Sequence, residues 1–516
     1  MLRPEFYPDA PAEVTLAQTH ISYVLLAGAH VYKIKKPVRF TFLDFSTPAL
    51  RRHFCHEEVR LNRRLAADTY IGVVAVCRDG DCYRLGLEDD PAAIEYAVHM
   101  HRLPAERMLD RLLEQRQATP AMIEAIATRL AEFHRQANAG ADITGNGDPA
   151  AIWEVLNDNF TGMRRFRDAT IPTADDDAIQ TFSRNFLARH EALLRARQAQ
   201  QRIRDCHGDL HSEHICCTAG GLVIFDCIEF NERFRYCDVA SEISFLAMDL
   251  DYHGEPELSQ RLIAHYAACA GDPDLPRLAP FYQCYRAYVR GKVDSLKSAE
   301  EEVSAEERGA ARASAYRHFA LAYRYTWAYS PCLVVITGLS GTGKSALAAA
   351  LHARTGFVHL NSDAVRKQLA GVPLDAPRTA AYDTGLYTPE MSARTYHMMY
   401  DRTAQQLAAG RGVILDGTFQ RHVDRDAARA LAMKYGVPVL IVECRCDEDE
   451  VRRRLERRKR LHESPSDADW TIYLQQRQRF EPFGPDEQAD HCIVDTAHPL
   501  TDAAAAIEQE LRKRAS

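Results

Sequence analysis

The chain has 516 residues, 46% of them hydrophobic and 26% charged, with a formal net charge of −8. That length exceeds what one hydrophobic core usually supports, so two or more domains are expected. The negative balance disfavours non-specific nucleic-acid binding over the whole surface, and no apolar run is long enough to span a bilayer.

The start, MLRPEFYPDAPAEV, lacks a signal peptide's apolar stretch. The 14 cysteines sit mostly in apolar runs, and Cys216–Cys217 and Cys444–Cys446 have the wrong spacing for zinc. Free thiols in a reducing cytoplasm are expected, with no membrane partner.

Segments 20–28 (HISYVLLAG) and 30–36 (HVYKIKK) are strand-like. Asp79-Gly80 marks a hairpin between VVAVCR and DCYRLGL. A helical pattern covers 48–66, and helices dominate from about 104 to 200. Strand- and loop-like segments return over 203–230, and helices follow to about 328. Past Tyr329-Ser330-Pro331, five apolar runs alternate with helical patterns: CLVVITG, FVHLNSD, GVILDGT, PVLIVECRC and HCIVDT. That alternation predicts βαβ units and a five-stranded parallel sheet. Domains are therefore expected over 1–328 and 329–516.

In the first domain, His207-Gly208-Asp209-Leu210-His211 is followed by VIFDCIEF, which carries Asp226. A loop aspartate plus a second, metal-binding aspartate is the arrangement of a protein-kinase-like site. Asp209 would take the acceptor's proton and Asp226 would hold Mg²⁺. Upstream, Lys33 on a strand and Glu58 on the next helix form the pair that positions ATP phosphates, and Lys35 shares Lys33's face. Segment 94–103 falls where a hinge would grip adenine. Asp238 is expected to brace the site or cap a helix, and Tyr282, Arg286 and Arg290 share one helical face.

The HGDLH motif and its companions make residues 1–328 resemble the aminoglycoside-phosphotransferase-like, or choline-kinase-like, family. The resemblance implies an α+β bilobal, protein-kinase-like domain. Its HGDxxxxN pattern places Asn where this chain has His214, so a metal ligand there would be imidazole. Imidazole suits Mn²⁺ better than it suits Mg²⁺. His211 is expected to bond the loop backbone.

In the second domain, Gly338, Leu339, Ser340, Gly341, Thr342, Gly343, Lys344 and Ser345 match GxxxxGK[ST] between a strand and a helix. The backbone amides would cradle phosphate, Lys344 would reach the β/γ-phosphates and Ser345 would bind Mg²⁺. Asp363 follows the next strand, either as an acceptor of a substrate proton or as a helix cap, with Arg366 one turn on. Asp416 ends an apolar strand as a Walker-B carboxylate would, and Arg421 follows as a substrate contact. VRRRLERRKR (451–460) is either a solvated basic face or a lid whose Arg454 and Arg458 clamp transferred phosphate. These motifs resemble the α/β P-loop small-molecule and polynucleotide kinases, which implies Asp363 as base and Arg366 as substrate contact. The whole chain resembles a bacterial group joining the two domain types.

The expected function is ATP-dependent phosphoryl transfer to the hydroxyl of a small molecule, at two potential sites. The alternatives are an ATP-sensing regulator with one degenerate domain, and an RNA or DNA 5′-end kinase, though nucleic acid is not the favoured partner.

Overall fold

The computed structural model describes residues 1–40, 42–218, 220–373, 388–461 and 469–515, and side chains are described only up to 457 in the helix Glu448–Leu461. The chain divides into two compact units, Met1–Ala322 and Tyr323–Ser516.

The first unit opens with β1 (Val14–Gln18), β2 (Ser22–Ala27), β3 (His30–Lys35) and a two-residue hairpin, β4 (Arg39–Phe40) with β5 (Leu43–Asp44). After the helix Pro48–Asn62 come β6 (Tyr70–Asp79), β7 (Cys82–Gly86) and β8 (Ala93–His101). Six of these strands form an antiparallel sheet in the order β1-β2-β3-β8-β6-β7. Strand periodicity puts Val31, Lys33 and Lys35 on the same face. Val31, Val98 and Met100 pack there against Cys55 and Val59 of the helix. The alternate residues Tyr32 and Ala97 pack on the other face with Tyr7 and Leu25. The helix starts where Thr47 accepts a bond from Leu50 N at 3.2 Å and Pro48 fixes the first turn.

The rest of this unit is mainly helical, with two short antiparallel pairs: β9 (Ile203–Asp205) with β12 (Tyr236–Asp238), and β10 (Ile215–Thr218) with β11 (Gly221–Ile224). The first pair carries the chain into the HGD loop, and the second lies between that loop and Asp226. The helices Val239–Tyr252 and Leu275–Ser298 pack against each other behind it.

In the second unit, β13 (Leu333–Thr337), β14 (Val358–Asn361), β15 (Val413–Asp416), β16 (Val439–Arg445) and β17 (His491–Asp495) form the expected parallel sheet, in the order β14-β15-β13-β16-β17. Every residue of β13 is buried, which explains its unbroken apolar run. The order reverses at β13, so a crevice opens at its C-terminal end, and the glycine-rich loop begins there.

The units part earlier than residue 328 because Tyr323 and Trp327 belong to the second core. Tyr323 donates to Glu508, which also accepts from Arg354 at 2.6 Å. Trp327 meets Phe357 edge-on at 5.5 Å, beneath the Arg512 guanidinium. Two buried aromatics of this size contribute about 3 kcal/mol or more each. A fragment 323–516 is therefore expected to melt at least about 6 °C above a fragment 329–516, measured by circular dichroism. Equal melting temperatures would show that these residues are not part of that core.

Candidate active sites

In the first unit, Glu58 is wholly buried between two lysines. Its Oε1 lies 2.9 Å from Lys33 Nζ and its Oε2 lies 2.8 Å from Lys35 Nζ. Lys33 also pairs with Asp226, and Lys35 with Glu229. Both lysines are therefore engaged, but only Lys33 reaches the aspartate of the VIFDC segment. Burial opposes the ionised form of Asp226, yet the Lys33 charge and His214 hold its carboxyl well below the usual range.

The HGD loop is bound from several sides. Gly208 has φ +90°, and a Cβ there would lie 3.1 Å from Phe234 O, so glycine is required. His207 Nε2 bonds Phe225 O at 2.8 Å, linking the loop to the residue before Asp226. Glu242 accepts from His207 N at 2.8 and 2.9 Å and from Gly208 N at 2.8 Å, with His134 3.0 Å away. Arg286 donates to Gly208 O at 3.1 Å and lies over the Phe245 ring. Of the three residues on that helical face, Arg286 is thus a brace, Tyr282 is buried, and Arg290 lines a separate cavity. Asp238 both caps the helix Val239–Tyr252 and pairs with buried Arg197.

The structure gathers Asp209, His211, His214 and Asp226. His211 faces the Asp209 carboxylate, Nε2 to Oδ2 3.5 Å, rather than the loop backbone expected from sequence. Burial works against Asp209's charge, but His211 and His214 hold the carboxyl far below its ordinary value. His214 Nδ1 bonds the Asp209 carbonyl oxygen at 2.8 Å, so this nitrogen carries the proton. The lone pair then sits on Nε2, which lies 3.5 Å from Asp226 Oδ2. An imidazole nitrogen beside a carboxylate fits a divalent cation that accepts mixed N/O donors. Of the hinge segment, Ala93–His101 is β8, and the amides of His101 and Arg102 donate to Thr69 O and Ala29 O.

In the second unit, the loop Gly338–Ser345 runs from β13 into the helix Lys344–Thr355. Gly338 has φ +138°, and a Cβ there would lie 2.6 Å from Cys444 O. Lys344, Ser345, Asp363, Arg366, Asp416 and Arg421 all line one cavity of about 580 Å³. Lys344 Nζ donates to Leu339 O at 2.7 Å. Asp416 accepts from Asn361 Nδ2 at 2.7 Å and lies 3.1 Å from His359; Asn361 also reaches Ser345 Oγ at 3.4 Å. Against burial, the His359 bond and the Lys344 charge keep Asp416 ionised below its ordinary value. The Ser345 hydroxyl and the Asp416 carboxylate are the oxygen donors Mg²⁺ requires. Asp363 pairs with Arg366, and Arg421 forks onto Asp424 at 2.7 and 2.8 Å. The helix cap beside Asp363 is supplied by Asn361, which accepts from Ala364 N.

Arg454 does not line this cavity. Its guanidinium bonds Glu450 at 2.9 Å, Thr496 Oγ1 at 3.1 Å and Thr496 O at 2.8 Å, beside Gly343. The side chain of Arg458 lies outside the described residues. Sequence reasoning missed Glu229, Glu242, Gln476 and the role of Asn361. Gln476 accepts from Ser340 N at 2.9 Å. Only Asn361 carried a local signal, since it stands next to Asp363 at a strand end.

Residues 26–281 match the phosphotransferase enzyme family, and residues 333–483 match an AAA domain. The uncharacterized proteins Rv2004c of Mycobacterium tuberculosis and Mb2027c of Mycobacterium bovis are 30% identical over 435 residues, covering 84% of this chain and 83% of theirs. The chain belongs to this two-domain phosphotransferase family. Among solved structures, a putative kinase from Chloroflexus aurantiacus is 21% identical, covering 36% of this chain and 98% of that one at TM-score 0.29. A gluconokinase from Sinorhizobium meliloti is 20% identical, with 36% and 94% covered at TM-score 0.26.

Glu242 couples the family's HGD loop to stability. Burial disfavours its charge, but the His134 bond and the loop amides bring the carboxyl down to about 2 from the ordinary 4.5. A lowered value means stabilisation that is complete above pH 4.5 and lost as pH falls toward 2. Glu242→Gln should cost about 3 kcal/mol by urea unfolding, constant from pH 7 to 5 and narrowing below about pH 4.5. A difference that does not change with pH would contradict this.

Proposed function

We propose that this chain is an ATP-dependent kinase with two sites, each transferring the γ-phosphate of ATP to a hydroxyl of a small molecule. The observation that carries the reading is that each unit brings one lysine and two carboxylates together: Lys33 pairs with Asp226, which His214 links to Asp209, and Lys344, Asp416 and Asp363 line one cavity.

In the first unit, read as bilobal with the sheet over the helical part, Lys33 held by Glu58 binds the α/β-phosphates. Asp226 and His214 hold the divalent cation, which neutralises phosphate charge when bound. Asp209 orients the acceptor hydroxyl. As the acceptor oxygen bonds to the γ-phosphorus, the bond from that phosphorus to the β-bridging oxygen breaks, the hydroxyl proton passes to Asp209, and ADP departs.

In the second unit, the loop amides of Gly338–Ser345 and Lys344 hold the β/γ-phosphates. Ser345 and Asp416 hold Mg²⁺, Asp363 takes the acceptor's proton, and Arg366 and Arg421 contact the acceptor. Arg454 acts at the Gly343 side of the nucleotide rather than in the cavity of Asp363. All 14 cysteines are free thiols, which supports a reducing, cytoplasmic setting. Among the described residues no helix is long and apolar enough to cross a membrane.

Transfer of label from [γ-³²P]ATP should be measured with sugars, nucleosides, aminoglycosides and 5′-hydroxyl oligonucleotides as acceptors. Asp209→Asn should abolish one acceptor activity and Lys344→Ala the other, each by about 100-fold or more, with the fold retained. Label transfer unchanged in the double variant would refute both assignments. The imidazole ligand has its own consequence. With Lys344→Ala as background, Mn²⁺ bound by the first unit should give an electron paramagnetic resonance spectrum showing nitrogen coupling, and His214→Asn should remove that coupling. It should also weaken Mn²⁺ relative to Mg²⁺ by about tenfold. Superimposable spectra and metal affinities would show that His214 is not a ligand.

A further inference from the structure

Glu213, which follows the HGD loop, lines a cavity of about 830 Å³ in the first unit; Asp209 itself is not in its wall. Asp249 comes to it from the helix Val239–Tyr252, Arg290 from Leu275–Ser298 and Arg317 from Ala305–Tyr325. Several of the charges around it are already paired. Asp249 accepts from Ser212 N at 2.8 Å and faces His253, Glu114 pairs with Arg111 at 2.8 Å, and His318 pairs with Asp294 at 3.0 Å.

The arginines are not. Among the described residues Arg290 makes no hydrogen bond or ion pair, and its buried Nε reaches no acceptor. Arg317 only lies over the Tyr252 ring, 4.5 Å from its centroid. Arg290 is part-buried with only its Nε shut away from an acceptor, and Arg317 is exposed, so both present guanidinium N–H groups to the cavity, where a carboxylate or phosphate would offer paired, charge-assisted bonds. Against burial, the carboxylates of Asp209, Glu213, Asp294 and Asp249 hold the Arg290 guanidinium ionised, and its charge in turn helps to hold Asp209 ionised. Neighbouring Glu213 and Glu255 add acceptors for hydroxyls, so the lining suits a compound with both kinds of group.

We propose that the acceptor of the first unit is a small hydroxylated compound bearing a carboxylate or phosphate, with that anion received by Arg290 and Arg317. The proposal rests on Asp209 serving an acceptor site, as argued above, and it names the chemistry of that acceptor.

Calorimetric titration of the full chain, with ADP saturating the nucleotide sites, tests it with glucose 6-phosphate, glucuronate and glucose. Glucose 6-phosphate or glucuronate is expected to bind about tenfold or more tighter than glucose, and to lose about tenfold in Arg290→Gln/Arg317→Gln. The stronger of the two anions distinguishes phosphate from carboxylate. The exposed-site variant Arg317→Gln, with an unchanged melting temperature, should show part of the loss if the double variant fails to fold. Binding of neither anion, equal binding of glucose, or undiminished binding in the folded variants would overturn the proposal. Arginine-dependent binding without label transfer leaves this proposal standing and counts against phosphoryl transfer at Asp209. Label transfer to a neutral acceptor, indifferent to Arg290, does the reverse.

Discussion

The first unit depends on one buried carboxylate. Glu58 sits at zero exposure between Lys33 and Lys35, and each lysine passes its charge on to a residue beyond β11, Asp226 or Glu229. Burying the carboxylate, or either lysine, without its partners would leave an unpaired charge in the interior, which is strongly unfavourable. Together they form an alternating chain of charge. It ties a sheet strand, the helix Pro48–Asn62 and the segment bearing Asp226 into one arrangement. Burial still raises Glu229 despite Lys35, whereas Asp226 stays depressed. The two arms therefore differ: one is a fixed structural pair, and the other ends at a half-open carboxylate able to meet a cation.

The second unit reaches a similar end with different means. No buried lysine lattice is needed, because Gly341, Gly343, Lys344 and Ser345, at the loop and the start of the helix that follows it, line one cavity. The parallel sheet supplies the rest by register. Asn361 pairs with Asp416 across adjacent strand ends, so the residue that caps the next helix also orients the carboxylate. Sheet order alone places β15 beside β13, which brings Asp416 to the loop that follows Thr337.

Features set by local chemistry were legible in the sequence. The five apolar runs became five parallel strands, and the glycine-rich loop lies between strand and helix as its spacing required. Lys33, Glu58, Asp209, His214 and Asp226 meet, although 193 residues separate Lys33 from Asp226. What escaped notice depends on tertiary packing. Glu242 holds the HGD loop from 34 residues away, and nothing in DVASEI announces it. Arg286 and Arg290 share a helical face, yet one is consumed as a brace and the other is left to a cavity, which periodicity cannot separate. Arg454 has lid-like spacing, but Glu450 and Thr496 take its fork. The place where the units part has a similar cause: Trp327 reads as the end of a helix, while its partners Phe357 and Arg512 lie far along the chain.

We propose that one chain holds two ATP sites of different construction. Equilibrium dialysis of the full chain with a radiolabelled, non-hydrolysable ATP analogue and Mn²⁺ counts them directly. Two molecules bound per chain are expected, falling to one in Lys33→Ala and to one in Lys344→Ala. A stoichiometry of one in the intact chain, or of two in either folded variant, would contradict it.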